Sequence, residues 1–428
     1  MIINEKNEIV DKIIERAVLV GFNNDKGHID IKYSMLELKE LALAAGCQVS
    51  DSIIQNKKTI DAVFYIGKGK IDEVKALVEM HDANLVIFND ELSGAQQRNI
   101  ENVVEARVID RTVLILDIFA KRAKSKVSKL QVELAQLRYR LPRLKGSRSN
   151  LSKTGAGIGT RGPGEQKLEI DKRRINERVT DIRKSLEEAR LVRNLQRVKR
   201  SKNEIPIVAI VGYTNAGKST LMNKLIADTN VEDTDKHVFV KDMLFATLDT
   251  FHRKITLGDN KDVIIVDTVG FVSKLPHSLV EAFKATLEEV TEADLLLHVV
   301  DSTNLDYNNQ IKITESVLNE LNVRDKKTIF VYNKSDLLNE EIDLINENDI
   351  LISAVKGDGI DELKEKIKKI VFDDLKIVKM LLPFNKGYIY SELCSIANVI
   401  STEYIEEGTL VEVEVSDKEY NKYKEFIL

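Results

Sequence analysis

Residues 212–219 read GYTNAGKS. Gly212, Gly217, Lys218 and Ser219 fall at the spacing G-x-x-x-x-G-K-[ST], after the apolar run 205–211 and before the amphipathic run STLMNKLIAD. That context is a strand, a loop and a helix start. Backbone N–H groups there can wrap a β-phosphate, aided by the helix N-terminus. Lys218 can reach the β- and γ-phosphates, and the Ser219 hydroxyl can ligate Mg²⁺. Tyr213, Thr214, Asn215, Ala216 and Thr220 complete the phosphate loop.

Three further motifs follow strand-like runs. DTVG (267–270) follows DVIIV. Asp267 can hold Mg²⁺ through water, and the Gly270 N–H can face a γ-phosphate, with Thr268 and Val269 between them. NKSD (333–336) follows TIFVY. Asp336 can accept from guanine N1–H and N2–H₂, a donor pair that adenine lacks. Asn333 can fix the loop and base edge, the Lys334 stem can lie along the purine, and Ser335 spaces them. SAV, residues Ser353, Ala354 and Val355, can offer a backbone N–H to guanine O6. Each motif alone is weak; four in order, each at a strand end, define a guanine-nucleotide site. Such a site needs a switch threonine between the first two motifs. FATLDTFH offers Thr247 and Thr250, and the chemistry does not choose between them. Phe245, Ala246, Leu248 and Asp249 flank Thr247.

The position after DTVG carries Phe271, where Ras-like enzymes carry a Gln that orients water. Only His277 nearby offers a substitute. Lys218, Thr247 and Gly270 are therefore the candidate catalytic groups, and slow hydrolysis in the absence of a partner is expected.

A second glycine-rich run, GAGIGTRGPG (155–164), satisfies G-x-G-x-x-G at Gly157, Gly159 and Gly162. The dinucleotide reading fails on context: no strand precedes it and a basic helix follows it. Residues 121–200 hold 24 Lys and Arg against 8 Asp and Glu, a net of +16 inside a chain of net −5. A solvated helical face would account for the charge, and so would a polyanion-binding surface. The loop is longer than a helix connection needs, and it carries cations and small residues that let a backbone approach phosphates. Arg143, Lys145, Arg148, Lys153 and Arg161, with Gly155, Gly157, Gly159 and Gly162, are its candidate RNA contacts. The rival reading is a plain connecting loop.

The elements that must position these residues form an α/β multidomain chain. Residues 1–112 alternate apolar runs with amphipathic ones: strands at 17–22, 62–67 and 84–88, and helices at 33–46 and 70–82. They read as a small N-terminal α/β subdomain with a parallel sheet. YIGKGK sits at an expected strand end; it is a strand-to-helix turn or a phosphate contact, and it lacks the spacing of a second nucleotide loop. Over 113–200, apolar residues from Leu116 to Leu141 and from Ile175 to Ala189 recur every three or four positions. They read as one long helix stopped near Pro142, a tip loop at 143–164, and a returning helix: an antiparallel hairpin. Residues 201–372 read as a P-loop GTPase domain, doubly wound α/β, and 373–428 as a small α+β tail. Two distant cysteines, a start rich in charges and no apolar run of membrane-spanning length point to a cytoplasmic protein.

The motifs GYTNAGKST, FATLD, DTVGF and NKSD, joined to GAGIGTRGPGE, YIGKGK and NDELSGAQQRNIE, resemble the HflX family of ribosome-associated GTPases. The resemblance spans about residues 10–372. It implies GTP or GDP as ligand, Mg²⁺ on Ser219 and Thr247, and an apolar residue at 271. It also implies binding to the large ribosomal subunit, with the hairpin tip at the peptidyl transferase region, and splitting of stalled or idle ribosomes under stress; separately, a monomer is expected. DNA is not an expected partner. The chain departs from the family pattern after FATLD, where TFHR replaces Pro-Thr-Thr-Arg. Two rivals stand beside this reading: an RNA-remodelling ATPase using the N-terminal domain, and a GTP-gated factor that occupies ribosomes without turnover.

Overall fold

The computed structural model of the 428-residue chain describes residues 15–24, 30–144, 163–201, 205–227, 245, 251–274, 289–321, 323, 326–338, 344 and 346–428. Contacts divide the chain into two compact units. The first comprises residues 1–194, 241–249 and 272–285; the second comprises 195–240, 250–271 and 286–428.

The first unit begins with β1 (Arg16–Asn23), α1 (Ile31–Ala45), β2 (Gln48–Asn56), α2 (Lys68–Met80), β3 (Leu85–Phe88), α3 (Gly94–Val104) and β4 (Arg107–Asp110). The strands form one parallel sheet in the order β2-β1-β3-β4. Val18, Val20, Val86, Phe88 and Val108 bury against Ile71, Val74 and Ile100 of the helices. The expected strand at 62–67 is absent. The Asp61 carboxylate accepts from the N–H groups of Val63 and Phe64 at 2.8 and 2.9 Å, and Tyr65 lies at φ 68. The chain therefore turns there, and YIGKGK leads straight into α2. The strand that pairs with β1 at the sheet edge is β2.

α4 (Arg111–Arg122), α5 (Lys126–Arg143) and α6 (Pro163–Ser201) follow. The one long helix expected up to Pro142 is two. Ala123 is extended, and the Ser125 side chain accepts from the Ser128 N–H, which caps α5. Such a cap is worth about 1 kcal/mol. Pro142 sits in the last turn of α5. The two seams do meet: Leu134, Val179 and Ile182 bury together with Leu130, Leu137, Ile175 and Leu186. Arg178 grips Glu133 with two bonds of 2.7 and 2.8 Å.

The second unit holds β5 (Ile207–Gly212), α7 (Lys218–Ala227), β6 (Phe251–Thr256), β7 (Asp262–Asp267), β8 (Leu295–Asp301), α8 (Tyr307–Glu320), β9 (Lys327–Asn333), β10 (Ile350–Leu351) and α9 (Ile360–Val371). The sheet order is β10-β9-β8-β5-β7-β6, parallel except for β6 against β7. Continuous burial of β5 and β8 is what a sheet covered on both faces requires. After it come β11 (Lys376–Leu382), α10 (Gly387–Ile396), β12 (Asn398–Ile405), β13 (Gly408–Val415) and α11 (Asp417–Lys422). These strands form an antiparallel sheet in the order β11-β13-β12. The tail is held by the β6–β7 turn. Asn260 donates to the carbonyls of Cys394 and Ala397 at 2.9 and 3.2 Å, and Lys261 pairs with Glu414 at 2.6 Å.

Candidate nucleotide site

The site lies at the C-terminal ends of β5, β7, β9 and β10, where open parallel sheets place ligands. The loop 213–217 joins β5 to α7, so the first N–H groups of α7 face into it. Asn215 adopts φ 62, and Gly217 lies at φ 94. A Cβ on Gly217 would stand 2.1 Å from Asn333 Nδ2, so only glycine fits there.

Lys218 is buried, and its Nζ donates to the carbonyls of Gly212 and Tyr213 at 3.0 and 2.7 Å. Burial pushes its pKa down to about 8, against the opposing pull of Asp267. Ser219 Oγ donates to Asp267 Oδ2 at 2.8 Å, which sets a hydroxyl and a carboxylate side by side at the end of β7. These are the hard oxygen donors that Mg²⁺ takes. Thr268 is tied down by its hydroxyl, which donates to the Ile210 carbonyl at 2.7 Å. Gly270 lies over the lysine: a Cβ there would be 2.9 Å from both Lys218 Nζ and Thr214 Cα. Phe271 is buried and joins the phosphate loop through its backbone. The Thr214 N–H donates to the Phe271 carbonyl at 2.7 Å, and the Phe271 N–H donates to the Gly212 carbonyl at 3.2 Å.

At the base end, Asn333 brackets two loops. Its Nδ2 donates to the Ala216 carbonyl at 2.8 Å, and its Oδ1 accepts from the Ala354 N–H at 2.9 Å. Lys334 stands at φ 71 with its Nζ 2.6 Å from Asp301. Asp336 Oδ1 accepts from the Ser353 hydroxyl at 2.7 Å; that bond holds the carboxyl below its usual range. The Ser335 N–H donates to the Ile352 carbonyl at 3.0 Å. Val355 is exposed beside the buried Ala354.

Two residues of this site escaped the sequence reading. His298 of β8 is buried next to β5 and stacks on Phe330 at 4.9 Å. Burial, then the charge of Lys218, holds its pKa at about 3. Asp301, the partner of Lys334, closes the same strand. Both lie in an apolar run whose only evident role is to form a strand.

Phe245 is buried; Ala246, Thr247, Leu248 and Asp249 lie outside the described residues. So do Lys145, Arg148, Lys153, Gly155, Gly157, Gly159, Arg161 and Gly162 of the hairpin tip. Arg143 is described, and its guanidinium is used within the first unit. It donates to Glu91, Leu92 O and Tyr139 O at 2.7, 2.7 and 2.9 Å and stacks on the Tyr139 ring. With its side chain only 15% exposed, Arg143 is removed from the RNA-facing set.

Three family profiles match in succession: GTP-binding GTPase N-terminal over residues 32–120, GTP-binding GTPase Middle Region over 122–200, and 50S ribosome-binding GTPase over 207–334. The GTPase HflX of Caldanaerobacter subterraneus subsp. tengcongensis is 50% identical over 414 residues, covering 97% of this chain and 94% of that one. The GTPase HflX of Escherichia coli K12 is 39% identical over 409 residues, covering 94% and 93%. Among solved structures, a GTP-binding protein from Sulfolobus solfataricus in complex with GDP matches with a TM-score of 0.45. It shares 26% identity and covers 84% of this chain and 99% of that one. With the loops after β5, β7, β9 and β10 gathered at one end of the sheet, and relatives matching along nearly its whole length, the chain belongs to the HflX family of GTPases.

Proposed function

We propose that this GTPase is Mg²⁺-dependent, binds the large ribosomal subunit, and splits or recycles stalled and idle ribosomes. The observation that carries the reading is the match of residues 207–334 to a 50S ribosome-binding GTPase. The +16 helical hairpin in the same chain supports it, because ribosomal RNA is the polyanion such a subunit presents. The residues that would hold Mg²⁺ are Ser219 and Thr247, with Asp267 acting through water. When bound, the ion neutralises charge on the β- and γ-phosphate oxygens. The protein's own contributions are the Lys218 ammonium, the Gly270 N–H and the loop amides. Asp336 and Ala354 select guanine. Phe271 has no group to orient water, so turnover is slow until a partner completes the site.

The hairpin tip, the loop expected at 143–164, is assigned to ribosomal RNA through Lys145, Arg148, Lys153 and Arg161. Deleting 150–162 tests this. GTP affinity is expected to stay within about twofold, while co-sedimentation with large subunits and splitting of ribosomes both fall. Unchanged sedimentation and splitting would sink the assignment. Splitting is favoured over occupancy without turnover by the family's enzymatic character.

A further inference from the structure

Phe245 and residues 272–274 group with the first unit, whereas the phosphate loop belongs to the second. We propose that helix α4 positions both switches, so that Arg111, with its partner Glu37, and Phe119 are positioning residues for GTP hydrolysis. This rests on the roles given above to Thr247 and Gly270.

One anchor follows DTVG directly. Phe271 is bound to the phosphate loop by its own N–H and carbonyl. Two residues later Ser273 is fully buried in the first unit. Its hydroxyl donates to the Glu37 carboxylate and accepts from Arg111 at 3.0 Å. Arg111 and Glu37 pair with each other, and their side chains are 2% and 4% exposed. Arg111 also donates to Asn89 Oδ1 at 2.9 Å, and Asn89 donates to Ser34 Oγ at 2.8 Å. The next residue, Lys274, pairs with Asp90. Asp90 also bonds the Tyr65 hydroxyl, whose pKa is raised first by burial, then by the charge of Asp90 and by this bond.

The location of this anchor is informative. Asn89 and Asp90 follow β3, and Arg111 follows β4. The chain winds from β1 to β2 on one side and continues with β3 on the other. Such a reversal point opens the crevice where parallel sheets bind ligands. Here residues 273 and 274 of the same chain reach groups at its rim. An ion pair buried this deeply tolerates little displacement, because moving one partner leaves the other charge unpaired.

The second anchor comes from FATLD. Phe245 and Phe119 are each 2% exposed and meet edge to face at 4.6 Å. Phe245 stands at φ 56, a conformation a bulky residue holds only when its surroundings enforce it. Phe245 precedes Thr247 by two residues, and Ser273 follows Gly270 by three. One helix of twelve residues thus anchors the chain two residues before Thr247 and three residues after Gly270.

The test uses the full chain. Ser273→Ala removes a hydroxyl and leaves Arg111 paired with Glu37; Phe119→Leu shrinks the second anchor without emptying it. GDP affinity, affinity for a non-hydrolysable GTP analogue and single-turnover hydrolysis are measured for each, beside Thr247→Ala. The expected result is at least a fivefold loss in the analogue-to-GDP affinity ratio and a tenfold slower turnover in both variants, with GDP affinity within twofold of the parent. A merely structural role would lower GDP and analogue affinity together and would overturn the proposal. So would unchanged ratios and rates in both variants while Thr247→Ala loses turnover. If Thr247→Ala itself keeps the parental rate, the switch assignment fails instead.

Discussion

The side-chain amide of Asn333 donates to the carbonyl of Ala216 at 2.8 Å, so the guanine-reading loop and the phosphate loop are held as one body. Its other end accepts the Ala354 N–H. Removing this bracket strands two buried backbone groups, each costing about 1–3 kcal/mol. Asn333→Ala is expected to weaken GDP and GTP equally, by at least about 30-fold. Fluorescent-nucleotide titration checks this; a loss confined to GTP would argue against the bracket.

Base selection is assigned to Asp336. Replacing it by Asn puts an amide donor where guanine also presents a donor, while the Ser353 hydroxyl keeps an acceptor. Asp336→Asn should lower GTP affinity about 100-fold, on the scale of two lost charge-assisted bonds. Affinity for xanthosine triphosphate, which offers a carbonyl at C2, should rise. Competition binding with both nucleotides measures the exchange.

The Ser219–Asp267 contact predicts a metal phenotype. Ser219→Ala removes the hydroxyl proposed to ligate Mg²⁺, so the Mg²⁺ concentration needed for half-maximal hydrolysis should rise at least about tenfold. Chelation should abolish turnover in the parent. Rates measured across a magnesium titration decide the matter.

Acid stability follows from His298. Its folded pKa of about 3 lies below the unfolded value of about 6.5. Between those values the unfolded chain binds a proton that the folded chain does not. Stability is therefore complete above about pH 6.5 and falls as the pH drops, by at most about 1.4 kcal/mol per unit from this group. Urea midpoints measured from pH 7.5 to 5 should decline, and His298→Phe should decline less steeply. Equal slopes would remove His298 as the cause.

The sequence shows the site more clearly than the frame around it. Phosphate-loop and base-reading residues act within a few positions of each other, so their spacing alone identifies them. β2 escaped notice because an edge strand carries few apolar residues; Val49, Ile53 and Ile54 supply most of its pattern. The apolar run at 62–67 imitates a strand, but it fills the core from a turn. Ser125 cuts a helical seam without interrupting its periodicity, since a cap changes the backbone and not the apolar spacing. Arg143 looks like a tip cation until Glu91 and Tyr139 are seen around it. The Glu37–Ser273 contact joins residues 236 positions apart, and no local pattern announces it.

The central claim is that GTP turnover by this chain serves the ribosome. The most direct measurement follows phosphate release and ribosome dissociation together, with GTP, a non-hydrolysable GTP analogue, GDP or ATP, for the parent and Lys218→Ala. The account predicts that large subunits raise GTP turnover at least tenfold. It also predicts that GTP supports repeated rounds of dissociation per molecule, the analogue no more than one, and GDP and ATP none, and that Lys218→Ala loses both activities. A turnover rate indifferent to ribosomes, or ATP hydrolysis that survives Lys218→Ala, would contradict it.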